Sequence, residues 1–272
     1  MRILLASDLD KTLIFDNKIS DENKDAIRRF KEAGGVFAIS TGRPYNGVEK
    51  VIQELNIEPD YLILNNGALV IRGSEEIVHR EFIPFKIVKS IFDDMNNRET
   101  VISLDTGFRS YPIDLDSKGI KDSFIADTDA TFKNLELIDN LDGIFEEDKE
   151  KIAAISLFLP RVDMDEVQNA CDYVNDNYGN YVVAYRNTRF IDIVPVGCSK
   201  GAGVKWVSKE ENIDIKDVYV IGDSWNDDSM FEVTEKSFTF TYAEEELKEK
   251  TNYIVETVAE CIDNYILKYV SI

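Results

Sequence analysis

The chain has 272 residues, with 31 Lys and Arg against 52 Asp and Glu, a formal charge of −21. Apolar residues make up 44% of it, enough to build a core and to exclude wholesale disorder. So acidic a surface argues against nucleic acid and against anionic lipid as partners, since both are bound by basic surface.

The chain opens as an alternation of strands and helices. Arg2 to Ser7 is a short apolar run ending in acids, as in a buried parallel strand. Ser20 caps a helix with Asp21 and Glu22 in its first turn and Ala26, Ile27, Phe30 and Ala33 as its apolar stripe. Gly34 and Gly35 stop it. Val36 to Ser40 is the next strand, and a helix carrying Val48, Val51 and Leu55 follows Pro44. Tyr61 to Leu64 is a third strand, and Asn66-Gly67 signals a hairpin into Ala68 to Ile71. This βαβαβ start predicts an α/β fold with a doubly wound, mostly parallel, Rossmann-like sheet.

The middle reads differently. Val88, Ile91, Phe92 and Met95 mark one amphipathic helix, and Val167, Ala170, Cys171 and Val174 another. Strand-like runs lie around them at Val101 to Leu104, Ile152 to Leu159, Tyr181 to Tyr185 and Phe190 to Val194. That mixture predicts a separate α+β layer, with residues 105–150 as loops and short elements. From Ser199 the alternation resumes, with a helix after Lys200, a strand at Val218 to Ile221, a strand at Phe238 to Thr241 and a terminal helix from Glu256. The expected organisation is a discontinuous core, residues 1–80 and 187–272, with residues 81–186 inserted.

Cys171, Cys198 and Cys261 lie far apart without a CxxC pairing, which fits a reducing cytosol and argues against disulfides or zinc. His79 is the single histidine, so a Ser-His-Asp triad would have to use it. The apolar start stops at Asp8, too short for a signal peptide, and no run approaches the ~20 apolar residues of a membrane span. The expectation is a soluble, cytoplasmic protein.

Four segments at strand ends or helix starts can carry chemistry. Asp8 and Asp10 follow the first strand, and two carboxylates so close call for a compensating cation, such as Mg²⁺, or a proton. The plainer reading is a loop with two solvated acids. Gly222-Asp223-Ser224-Trp225-Asn226-Asp227 puts two more carboxylates at another strand end, where a capped helix start is the plainer reading. Two such ends together favour a metal site. Thr41-Gly42-Arg43 offers a hydroxyl, a glycine and a guanidinium to a phosphate, or forms an ordinary turn. Lys200 would open a helix where its charge opposes the dipole, which makes sense if it points at carboxylates or phosphate.

These segments, in this order, resemble the haloacid dehalogenase-like superfamily, and within it the Cof-like branch with an α/β cap inserted between the second and third motifs. Asp8, Asp10 and Thr12 match DxDxT, Thr41-Gly42-Arg43 matches the TGR segment, and Lys200 matches the motif-three lysine. Gly222, Asp223, Asn226 and Asp227 match GDxxND, and Asn66-Gly67-Ala68 looks like the NGA segment before the cap. Lys11 departs from the pattern, because glycine is frequent at its position.

The resemblance implies a Mg²⁺-dependent phosphatase for small phosphomonoesters, sugar phosphates or related phosphometabolites, working through an aspartyl-phosphate. It implies Asp8 as nucleophile, Asp10 as general acid and then base, and Lys200 as charge compensator. Thr41 and Gly42 would hold phosphate oxygens through N–H, with Arg43 and Asn226 as further phosphate contacts. Mg²⁺ would be held by Asp8, the Asp10 carbonyl and Asp223, with Asp227 through water or behind them. The alternatives are a phosphotransferase or phosphomutase on the same core, or a non-catalytic phosphometabolite-binding protein. A monomer or small homo-oligomer is expected.

Overall fold

The computed structural model describes residues 2–15, 18–56, 58–73, 75–97, 100–115, 134–159, 162–187 and 189–269. The chain divides into two compact units. One comprises residues 1–41, 51–79 and 199–272, the other residues 42–50 and 80–198.

The first unit is built on an eight-stranded sheet. Its order is Tyr253–Val255, Ser237–Phe240, Val218–Ile221, Leu4–Ser7, Val36–Ser40, Tyr61–Leu64, Leu69–Arg72 and Glu76–Arg80. The first six strands in this order pair in parallel, and Leu69–Arg72 turns back antiparallel on Tyr61–Leu64. Leu4–Ser7 is buried along its whole length, as its apolar run predicts. Helices cover both faces. Asp21–Glu32 packs beside the terminal helical segment, where Ala259 N–H donates to Asn23 Oδ1 at 2.9 Å. Lys200–Glu210 and Asp228–Phe231 pack on the other face, where Val204, Val207, Met230 and Phe231 meet Leu4, Ala6, Val36, Ala38 and Ile63. Ser20 caps the first helix by accepting from Asn23 N–H, and Gly34 leaves it at φ +87°. The turn Asn65–Gly67 joins its two strands with all three residues at positive φ.

The second unit carries a five-stranded sheet ordered Val182–Asn187, Phe190–Pro195, Ala154–Phe158, Val101–Asp105, Ser110–Ile113. All of its pairs are antiparallel, so side chains alternate between two faces. Ile102, Leu104, Ile155, Leu157, Ile191 and Ile193 form one face and pack with Val88, Ile91, Val167, Cys171 and Val174 from the helices Phe85–Met95 and Met164–Tyr178. The register sets Ser103, Asp105, Ser110, Ser156, Asp192 and Tyr185 on the opposite face.

The boundaries differ from the expected ones in two places. Phe190–Pro195 pairs on both sides within the five-stranded sheet, so the second unit runs to Cys198 and not to 186. An apolar strand pattern does not reveal which sheet will take it. Residues 42–50 also group with the second unit, where Asn46 Nδ2 donates to Ser110 Oγ at 3.1 Å. The stretch 105–150, expected as loops and short elements, contains the strand Ser110–Ile113 and short 3₁₀ turns at Leu141–Gly143 and Glu146–Lys151. Within it, 116–133 lies outside the described residues. Among the described residues no helix is long and apolar enough to cross a membrane.

Candidate active site

Strand order brings the acids together. From Leu4–Ser7 the sheet grows one way through Val36–Ser40 and the other way through Val218–Ile221. That reversal is where open α/β sheets bind ligands, at the carboxyl ends of the strands. Ser7 pairs with Ile39 and with Ile221, and Asp8 N–H extends the ladder to the Ile221 carbonyl at 2.9 Å. Asp8 and Asp223 therefore leave neighbouring strands at the same level, although 215 residues apart (223 − 8).

Lys200 ties the cluster together. Its side chain is 1% exposed, and its ammonium donates to Asp8 Oδ1 at 2.6 Å, to Asp227 Oδ1 at 2.6 Å and to Asn226 Oδ1 at 3.2 Å. Ser199 caps the helix that Lys200 opens, accepting from Ala202 N–H. Gly201 lets that helix approach the Ser229 carbonyl, which a Cβ would meet at 1.9 Å. Asp227 is fully buried. Its Oδ2 accepts from Asp223 N–H at 2.9 Å and Ser224 N–H at 3.0 Å, so both of its oxygens are committed. Asp223 gives one oxygen to the Thr12 hydroxyl at 3.0 Å. Among the described residues the hydrogen bonds of Asp8 and Asp223 use Oδ1 of each carboxylate.

Three carboxylates face one ammonium. Burial raises the Asp8 carboxyl well above its usual range, and Asp227, Asp223 and Asp10 push the same way against Lys200. Asp223 is pushed up to about 6 by burial and by Asp227, with Thr12, Lys200 and Lys11 opposing. Burial works against the Lys200 charge, yet Asp227 and Asp8 outweigh it and hold the ammonium protonated. Oxygens of Asp8, Asp223 and Asp227 lie within 4.8 Å of one another. An all-oxygen donor set with excess negative charge fits a hard divalent cation.

The other expected residues divide. Asp10 is exposed, in a tight turn bridged to Ile14, within electrostatic range of Asp8. Thr41 ends the neighbouring strand, but its N–H donates to the Ile63 carbonyl at 2.8 Å and so cannot serve as the expected phosphate donor. Gly42 and Arg43 belong to the second unit, where the Arg43 guanidinium donates to the Gly47 carbonyl at 2.9 Å. The His79 ring lies 5.8 Å from that of Trp206, tilted by 32°.

Three features escaped the sequence reading. The Thr12 hydroxyl on Asp223 and the Tyr242 hydroxyl on the Lys11 carbonyl are contacts between segments that no spacing announces, and the pair of N–H groups on Asp227 is a local cap that aims a carboxylate read only as a ligand or a helix start. Burial together with Asp223, Asp8 and Asp227 raises the Tyr242 phenol and keeps it a donor.

A family model described as haloacid dehalogenase-like hydrolase matches residues 5–263. The 5-amino-6-(5-phospho-D-ribitylamino)uracil phosphatase YwtE of Bacillus subtilis is 25% identical over 273 residues, covering 93% of this chain and 92% of the relative. Phosphatase YwpJ of the same organism is 26% identical over 274 residues, with 90% and 91% covered. Among solved structures, SMU.1108c of Streptococcus mutans superposes with a TM-score of 0.84 at 19% identity, covering 98% of this chain and all of that one. A haloacid dehalogenase-like hydrolase of B. subtilis gives 0.83 at 22% identity, with 96% and 99% covered. At these identities the structural likeness speaks for the fold.

Proposed function

Because the chain belongs to the haloacid dehalogenase-like hydrolases, we propose that it is a Mg²⁺-dependent phosphatase of small phosphomonoesters that works through Asp8. The observation that carries this reading is the buried Asp8 carboxylate, held by Lys200 at the end of the central strand and flanked by Asp223 and Asp227. Relatives named as phosphatases over nearly the whole chain support it.

In this reading an Asp8 oxygen attacks phosphorus and the bond from phosphorus to the leaving oxygen breaks. Asp10 gives its proton to that oxygen. A water then attacks phosphorus, its proton goes to Asp10, and the Asp8–phosphate bond breaks to release inorganic phosphate. Lys200 offsets charge on Asp8 and keeps the carboxylate aimed. Thr41 and Asn226 contact phosphate oxygens. Asp8, the Asp10 carbonyl and Asp223 would hold Mg²⁺, with Asp227, already committed to Lys200 and two amides, acting from behind. The bound cation supplies charge neutralisation for phosphoryl transfer. Chemistry of this kind is mostly positioning and electrostatics, which a buried, pre-aimed cluster provides.

A panel of phosphomonoesters, including sugar phosphates, tests the reading, with and without Mg²⁺. Release of inorganic phosphate that stops on chelation is expected. Tight binding without turnover would make the chain a phosphometabolite-binding protein, and transfer to a sugar hydroxyl in place of water would make it a phosphotransferase.

A further inference from the structure

The loop that carries Asp8 and Asp10 contains an uneasy residue. Lys11 sits at φ +56°, a left-handed conformation that glycine adopts freely and a residue with a Cβ does not. Local bonds close the turn around it. Lys11 N–H donates to the Ile14 carbonyl at 2.9 Å, and Leu13 and Ile14 N–H donate to the Leu9 carbonyl at 2.9 and 2.8 Å. None of these holds the Lys11 carbonyl. The Tyr242 hydroxyl does, reaching it from the other side of the sheet's switch point.

The tyrosine is well aimed. It follows the strand Ser237–Phe240, and its ring stacks on Phe240 at 4.9 Å and 11°. Phe15, one residue beyond Ile14, meets the ring edge-on at 5.6 Å and 88°. Two aromatic contacts fix the ring, so the hydroxyl has one direction.

We propose that Tyr242 is a positioning residue for phosphoryl transfer, holding the left-handed turn at Lys11 and thereby placing Asp10 and Thr12 around Asp8. The inference rests on the phosphatase reading above. If Lys11 relaxed to negative φ, the peptide planes on both sides would turn. Asp10 would move, and the Thr12 hydroxyl would leave Asp223, which it meets at 3.0 Å. The tyrosine supplies an external hold for a turn that glycine would adopt unaided.

The experiment compares Tyr242→Phe, Lys11→Gly and the double variant with the wild type. Tyr242→Phe removes the hydroxyl and keeps the stacked ring. With p-nitrophenyl phosphate and Mg²⁺, its kcat is expected to fall about fivefold, the scale of one net hydrogen bond, with KM within about twofold. Hydrogen exchange at the Leu13 and Ile14 amides is expected to quicken. In the Lys11→Gly background the loss should shrink below about twofold, because the turn no longer needs the hold. Unchanged kcat in Tyr242→Phe, or the same fall in both backgrounds, would overturn the proposal. Quicker exchange with wild-type kcat would overturn it too. If the wild type released no phosphate, the phosphatase reading would fail. The hold on the turn would then be judged by exchange alone, with quickening reversed by Lys11→Gly supporting it and no change rejecting it.

Discussion

Gly222 has room for no side chain. A Cβ there would lie 2.4 Å from Asp227 Cγ and 2.5 Å from its Oδ2, the oxygen that accepts the Asp223 and Ser224 amides. Gly222→Ala must therefore displace the carboxylate that fixes Lys200. We expect turnover to fall by about 10²-fold, the cost of misplacing reacting groups by about 1 Å. Unfolding free energy should drop by roughly 1–3 kcal/mol, read from urea melts. Lys200→Met leaves Asp8 and Asp227 buried without their cation and should cost roughly 3–5 kcal/mol at neutral pH. Wild-type stability in that variant would show that the cluster is not held by charge. At this scale the sequence was informative about residue types. Lys200 at a helix start was legible as a cation aimed at acids, because its position is otherwise unfavourable. The contacts of Thr12 and Tyr242 were not, since a hydroxyl's partner across 211 or 231 residues depends on the fold and not on local pattern.

Elements add a second kind of prediction. Asp105 ends a strand of the five-stranded sheet with its side chain 6% exposed. Burial pushes its carboxyl from an ordinary 3.8 up to about 7, against the bond from Ser110 and with repulsion from Asp192. The folded state thus binds a proton more tightly than the unfolded chain. Stability is favoured below pH ~4, falls as pH rises from about 4 to about 7, and levels off above that. The swing is on the order of 4 kcal/mol at most. Asp105→Asn should flatten this dependence and raise stability at pH 8, as followed by denaturant unfolding across pH. An unchanged pH slope would mean that Asp105 is not the group responsible. Ser199→Ala should cost about 1 kcal/mol through loss of the cap on Ala202 N–H. Strands and helices of the first unit were readable because βα alternation, caps and glycine stops agree. The edge strands Glu76–Arg80 and Tyr253–Val255, largely exposed, carry only two and three consecutive apolar residues, too short a run to mark a strand. Phe190–Pro195 was readable as a strand but not as a member of the second sheet.

On the scale of the whole molecule, the charge of −21 has local structure. Asp8, Asp223 and Asp227 converge on one buried point with a single ammonium, and Asp10 adds repulsion from the exposed turn beside it. Removing that repulsion with a bound cation should stabilise the fold. At about 100 times its dissociation constant Mg²⁺ should contribute about 2.7 kcal/mol, a rise in Tm of roughly 5–10 °C for a chain of this size. Asp223→Asn should abolish most of that rise in a thermal scan. The division into two compact units coincides with a break in βα alternation. Its limits at 42–50 and 198 came only from strand pairing and contacts. Phosphate release from p-nitrophenyl phosphate by wild type and Asp8→Asn tests most directly the proposed role of Asp8 as nucleophile. With Mg²⁺ the wild type should turn over, while Asp8→Asn, folded by the same thermal and spectroscopic criteria, should fall by at least ~10³-fold. Comparable turnover by the two would contradict the account.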